Sequence, residues 1–213
     1  MPAAGSHPLF ARCYHLLSGP AERAGTAEHR EELLQGLEGE VIELGAGNGL
    51  SFAHYPPTVR RVVAVEPDPF LRHKAELAAT RAPVPVEVVS GWADDLPFDD
   101  GQFAAAVASL VLCSVPDVPR ALGELRRVLV PGGALRFYEH VRAEDPGAAR
   151  RQDWVDRVWP RVGGGCHPNR DTVAAIQAAG FALEEVRRFS FAPSFLARPV
   201  APHVIGRARR AGA

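Results

Sequence analysis

The residue types best suited to chemistry crowd into one short stretch, Val41-Ile42-Glu43-Leu44-Gly45-Ala46-Gly47-Asn48-Gly49. Glycine at alternate positions lets a backbone turn tightly and approach a ligand without a Cβ in the way. Glu66 stands 23 residues beyond Glu43, at the end of the next apolar run. A carboxylate so placed accepts hydrogen bonds from ribose hydroxyls and repels a 2′-phosphate. Glycine turn and acid together imply a ribose-containing cofactor without choosing which. A dinucleotide fingerprint would want a glycine at position 50, where Leu50 stands. Lys74 is the only lysine and completes no Tyr-x-x-x-Lys pair, which counts against the commonest nicotinamide-dependent form.

Other reactive side chains are scattered. His140, preceded by Glu139, is of the right type to take a proton from an acceptor near neutral pH. The alternative is a structural histidine at a strand end. Glu139 either orients His140 or touches the cofactor. Cys113 lies in an apolar run and reads as a small buried hydrophobe. Cys166-His167 follows Gly163-Gly164-Gly165. Adjacent ligands without a second pair at metal spacing make a poor metal site, so no metal is expected. A loop closing over the acceptor is the preferred reading of that segment. Trp154 and Trp159 either line an acceptor pocket or pack in the core.

These groups need a frame, and apolar strand-like runs alternate with helical patterns from about residue 40 to 190. Alternation of that kind predicts an α/β fold, a doubly wound and mostly parallel sheet with helices on both faces. The strands are placed at Glu40–Leu44, Arg61–Glu66, Val84–Val89, Phe103–Ser109, Gly133–Glu139, Phe181–Phe189 and Pro202–Arg210. Helices are placed at Pro69–Arg81, Val118–Leu129 and Thr172–Ala179, the last capped by Asn169 or Asp171. Two N-terminal helices, Pro8–Leu17 and Ala21–Leu37, precede the sheet. An apolar stripe of Leu9, Phe10, Tyr14, Leu16 and Leu17 reads as a helix covering the sheet or the cofactor cleft. A lid that orders on binding, or weak docking to a membrane surface, is the alternative.

With 213 residues, 46% hydrophobic and 23% charged, the chain fits one domain with an ordinary core. Within it, 1–37 would be N-terminal helices, 38–140 a cofactor-binding core and 141–213 the acceptor side. A formal net charge of −1 excludes broad electrostatic capture of nucleic acid. Three scattered cysteines give no disulfide framework and suit a reducing, cytoplasmic setting. No signal peptide is visible, and the longest apolar run, Phe103–Val115, is shorter than the ~20 residues a bilayer requires. Stable membrane insertion is therefore not expected, and the oligomeric state stays open. The bias toward arginine, alanine and proline suggests a GC-rich bacterial genome.

Four segments in order, Glu43–Gly49, Val65-Glu66-Pro67-Asp68, Gly91-Trp92-Ala93-Asp94-Asp95-Leu96-Pro97-Phe98 and Leu129-x-Pro131-Gly132-Gly133, resemble the class I S-adenosylmethionine methyltransferases. The resemblance covers about residues 38–140 and implies a seven-stranded, Rossmann-like sheet with S-adenosyl-L-methionine as cofactor. It implies that Glu43, Gly45, Ala46, Gly47, Asn48 and Gly49 hold the methionine part, and that Glu66 and Pro67 hold the ribose. Trp92, Ala93 and Asp94 would line the adenine pocket. Many relatives have an acid where Trp92 stands, so the partner of the adenine N6 is left open. Ser109 and Leu110 would complete the cofactor contacts, at the edge from which a transferred methyl is approached.

A narrower resemblance rests on Ser109-Leu-Val-Leu-Cys-Ser-Val115, Glu139-His140, Gly165-Cys166 and Pro202-His-Val-Ile-Gly206. These look like the methyltransferase-like thiol methyltransferases, whose eukaryotic members begin with a hydrophobic anchor that has no equivalent here. The implied acceptor is a small-molecule thiol, with His140 as the base that generates its thiolate. An oxygen, nitrogen or lipid-headgroup acceptor is the alternative. A nicotinamide-dependent oxidoreductase and a non-catalytic cofactor-binding protein are the readings from other classes.

Overall fold

The structure is a computed structural model and describes residues 8–212; the stretch before Pro8 lies outside the described residues. Among those residues seven strands form one sheet: β1 (Gly39–Leu44), β2 (Val59–Val65), β3 (Val86–Val89), β4 (Phe103–Ser109), β5 (Leu129–His140), β6 (Phe181–Ser190) and β7 (Pro202–Arg210). Their order is β3-β2-β1-β4-β5-β7-β6. The first five pair in parallel, and β7 runs antiparallel between β5 and β6. The central strands are apolar on both faces because both are covered. Val41 faces a cluster with Leu33, Leu34 and Phe52, while its neighbour Ile42 faces the opposite cluster with Leu122, Leu125 and Ile176.

Local chemistry sets the helix ends. Asp68 accepts from the Phe70 and Leu71 amides at 2.9 and 3.0 Å and starts α3 (Pro69–Ala79), with Pro69 in the first turn. Asp117 and Asp145 do the same for α4 (Val118–Val128) and α5 (Pro146–Val155). A short α6 (Trp159–Val162) follows. Asp171 caps α7 (Thr172–Ala178), whereas Asn169 bonds to Asp153. Of the two caps left open by the sequence, Asp171 is the one used.

Three elements differ from the sequence-based expectation. The N-terminal helices are α1 (Pro8–Ala21) and α2 (Ala27–Leu34), joined by a π turn at Glu22–Thr26 where Gly25 breaks the helical backbone. The glycine turn leads into a single 3₁₀ turn, Leu50–His54, where the strand–glycine–helix pattern of such folds calls for a helix. Pro56 holds Tyr55 extended and ends that turn. β5 begins at Leu129, because Leu129 pairs with Phe103; Pro131-Gly132-Gly133 forms an irregularity inside the strand. Among the described residues no helix is long and apolar enough to cross a membrane.

Candidate active site

The parallel strands end together, and a cleft of about 740 Å³ opens at the C-terminal ends of β1, β2 and β4. This is where ligands bind in doubly wound sheets. Gly45 and Gly47 form one wall, and Glu66, Pro67 and Asp68 form the next. Gly91, Trp92, Ala93 and Asp94 close one end, Ser109, Leu110 and Val111 the other. The roof comes from α1 through Phe10, Ala11, Arg12 and Tyr14, and from Gly164 and Gly165 in the loop after α6.

Positive φ and close neighbours favour glycine at the two positions of the turn that face the cleft. A Cβ on Gly45 would lie 2.5 Å from Val111 Cγ2, and one on Gly47 would lie 3.2 Å from the Tyr14 ring. Both residues have positive φ, +58° and +57°. Glu66 turns its carboxylate into this corner: Oε2 accepts from the Gly47 amide at 2.8 Å and Oε1 from the Asp68 amide at 2.9 Å. Burial pushes its pKa up to about 7, against the pull of those two amides. Carboxylate lone pairs beside an open glycine cradle suit ribose hydroxyls, so the residues present fit the expected cofactor.

The rest of the glycine motif holds this corner from outside. Glu43, Ala46, Asn48 and Gly49 do not line the cleft. Glu43 is buried and accepts from Tyr55 Oη at 2.9 Å; burial raises its pKa, against hydrogen bonds from Ser51 and Tyr55. Asn48 Nδ2 lies 2.9 Å from Ser18 Oγ and 3.1 Å from His15 Nδ1, which ties α1 to the turn. Trp92 lines the cleft while remaining partly exposed, so it is not a core residue. Trp154 and Trp159 line neither this cleft nor the smaller cavity beside it.

That smaller cavity, about 120 Å³, is bounded by His140, Arg30, Tyr138, Phe191 and His203. Tyr14 and Leu110 belong to its lining as well as to that of the larger cleft. Leu110 is the one non-glycine residue with positive φ among those described, at +58°. A leucine there costs roughly 1–3 kcal/mol, so the surroundings must hold it. Its amide donates to Tyr138 O at 2.6 Å. Glu139, fully buried, accepts from the amides of Val111, Leu112 and Cys113 at 3.1, 2.8 and 3.0 Å. Arg170 Nη1 donates to Leu112 O and Val115 O at 2.8 and 2.7 Å. Glu139 thus positions the turn after β4 and does not line the larger cleft. Neither clamp leaves a signature in the sequence, since the partners lie 26 to 58 residues apart.

His140 borders the smaller cavity, not the larger one, and its Nδ1 is directed at two sulfurs. Cys166 Sγ lies at 3.4 Å and Cys113 Sγ at 3.6 Å. The neighbouring Cys166 and burial push the Cys113 thiol well above its ordinary range. His167 instead pairs with Asp156 at 3.0 Å.

The Methyltransferase domain family matches residues 42–137, from β1 to β5. The thiol S-methyltransferase TMT1B of Homo sapiens is 37% identical over 182 residues, 82% of this chain and 73% of that protein. Among solved structures, an S-adenosylmethionine dependent methyltransferase from Mesorhizobium loti superposes with a TM-score of 0.62 at 22% identity, covering 91% of this chain and all 100% of the other. The [4+2]-cyclase SpnF superposes at 0.67 with 19% identity, over 89% of this chain and 81% of that one, so the fold alone does not fix the reaction. The chain belongs to the class I S-adenosylmethionine-dependent methyltransferases. It is an enzyme of that class, and S-adenosyl-L-methionine is its cofactor.

Proposed function

We propose that the enzyme methylates the sulfur of a small-molecule thiol. The cofactor lies in the larger cleft and the acceptor in the smaller cavity. The observation that carries this reading is the common wall of Tyr14 and Leu110 between the two spaces. When bound, the cofactor supplies a sulfonium methyl, already an activated electrophile. The chain's own task is to align the acceptor with it and to exclude water. Positioning of that kind recovers ~7–11 kcal/mol of barrier.

Glu66 and the glycine corner fix the ribose side. Trp92, Ala93 and Asp94 receive the adenine, and Ser109 and Leu110 place the reacting end against the wall. The smaller cavity presents a mostly apolar surface from groups such as Tyr138, Phe191, Val200 and Leu110, with Ser18, Glu22, Thr26, Arg30, His140 and His203 among its polar members. A pocket so small and apolar favours a compact, weakly hydrated nucleophile such as a thiol over a charged headgroup. The thiol S-methyltransferase name of the human relative supports the same acceptor class.

Transfer of labelled methyl from the cofactor to a panel of small thiols, amines, phenols and phosphatidylethanolamine tests this reading. Thiols should be the productive class, and His140→Ala should lower turnover far more than cofactor affinity. Methylation of amines or phenols alone overturns the thiol assignment. Unchanged turnover in His140→Ala removes His140 from the acceptor site.

A further inference from the structure

Cys113, His140 and Cys166 come from three separate parts of the chain: the turn after β4, the last residue of β5 and the loop after α6. The fold nevertheless brings their donor atoms together, all within 4.8 Å of one another. The Sγ···Nδ1 separations are 3.4 and 3.6 Å. Zinc bonds of about 2.3 Å to sulfur and about 2.0 Å to nitrogen give a tetrahedral S···N edge of about 3.5 Å. The two separations bracket that value, and the two sulfurs lie within 4.8 Å of each other, so the three donor atoms are close enough to share one ion.

The backbone around them is fixed in the same sense. Glu139 holds the Cys113 amide, and the His167 amide donates to Cys113 O at 2.7 Å, which docks the Cys166 loop onto the Cys113 turn. Both cysteines are buried, and His140 is half-buried at the border of the smaller cavity. Two thiolates balance the charge of a divalent cation, so no net charge is left buried. Two sulfurs and an imidazole are a donor set that suits zinc, and three protein ligands leave one position open.

We propose that Cys113, His140 and Cys166 bind a zinc-class divalent ion, whose open position takes the sulfur of the acceptor thiol from the side of the smaller cavity. The role in catalysis rests on the thiol reading above; the metal site itself does not. On coordination the acceptor S–H bond breaks and its proton leaves to solvent, because a metal-bound thiol is deprotonated outright near neutral pH. The acceptor sulfur then forms a bond to the methyl carbon as the carbon–sulfonium bond breaks, giving a thioether and the neutral demethylated cofactor. The metal changes no oxidation state.

The full chain with Cys13→Ser, reduced and stripped with a chelator, is titrated with cobalt(II). One equivalent should bind with the intense visible bands of a tetrahedral site and a thiolate charge-transfer band, both displaced by zinc. Zinc should also protect two thiols of the folded wild-type protein from a thiol reagent, leaving the exposed Cys13 reactive. That second measurement needs no variant. Cys113→Ser, His140→Ala and Cys166→Ser should each weaken cobalt binding by more than the ~10–100-fold typical of losing an outer-shell partner. A small aliphatic thiol, added without methyl donor, should shift the charge-transfer band.

Absence of cobalt bands in reduced protein, or a Cys113–Cys166 disulfide as the only chemistry of the pair, overturns the site. A spectrum unmoved by the thiol overturns its role toward the acceptor. Thiol methylation at full rate by metal-stripped enzyme overturns that role while sustaining the thiol reading. Cobalt uptake by a protein that methylates only amines sustains the site and sinks that reading.

Discussion

Glu66 links the cofactor corner to pH. Burial lifts its pKa from 4.5 to about 7 in the ligand-free fold. A raised pKa means that the folded state binds the proton more tightly than the unfolded one. The stability from this group is therefore complete below pH 4.5 and is lost as pH rises to about 7. Ribose hydroxyls donate to the ionised carboxylate, so cofactor binding below pH 7 should release a proton and affinity should climb toward neutrality. Titration calorimetry in two buffers of different ionisation enthalpy measures that release directly. Glu66→Gln should abolish the pH dependence and weaken binding roughly ten- to a hundred-fold, the worth of one charged hydrogen bond at ~1.5–3 kcal/mol. A variant with unchanged affinity and the same pH slope would take Glu66 out of the cofactor site. The position of Glu66 at the cleft was legible in the sequence because it needs only a strand end and a spacing. His140 was legible as a type but not as a place, since Nδ1 faces Cys113 and Cys166 across 27 and 26 residues of chain.

At the level of elements, α1 is the roof of the cleft. The sequence showed an apolar stripe, but its two sides do different things. Phe10 and Tyr14 turn into the cleft, with Tyr14 against Gly47, while Leu9, Leu16 and Leu17 face outward. Periodicity cannot separate these sides, because which one meets the sheet is decided by contacts such as Asn48 to Ser18. The strands were read well for the opposite reason: burial on both faces makes a strand almost wholly apolar. Their ends were less legible, as Leu129 shows, since pairing with Phe103 extends β5 through a Pro-Gly-Gly segment that reads as a turn. If α1 closes over bound cofactor, amide exchange in Phe10–Ser18 should slow on adding S-adenosylhomocysteine. Tyr14→Ala should open the shared wall, weaken cofactor binding severalfold and lower turnover further. Equal exchange with and without ligand would make α1 a fixed cover and not a lid.

Across the whole molecule, one buried cation ties the N-terminal layer to the sheet. Arg30 on α2 is almost fully buried and donates to Glu22 Oε1 at 3.0 Å, Ser51 Oγ at 2.9 Å and Ser109 Oγ at 3.3 Å. These partners lie on the π turn, the 3₁₀ turn and the end of β4, so a single guanidinium joins four parts of the chain. The Tyr55–Glu43 pair adds a carboxylate that Arg30 also stabilises electrostatically. Arg30→Met keeps much of the apolar stem but leaves the carboxylates of Glu22 and Glu43 without their cation. Breaking a buried pair in this way costs about 3–5 kcal/mol, so urea unfolding should shift to a clearly lower midpoint. Arg30→Lys restores the charge without the planar fork and should recover only part of the loss. The same side chain lines the smaller cavity and not the larger cleft. Turnover of folded Arg30→Lys should therefore fall while its cofactor affinity stays near wild type. A midpoint unmoved by Arg30→Met would show that the N-terminal layer is held by apolar packing alone. An equal loss of cofactor affinity in Arg30→Lys would show that the two cavities respond as one.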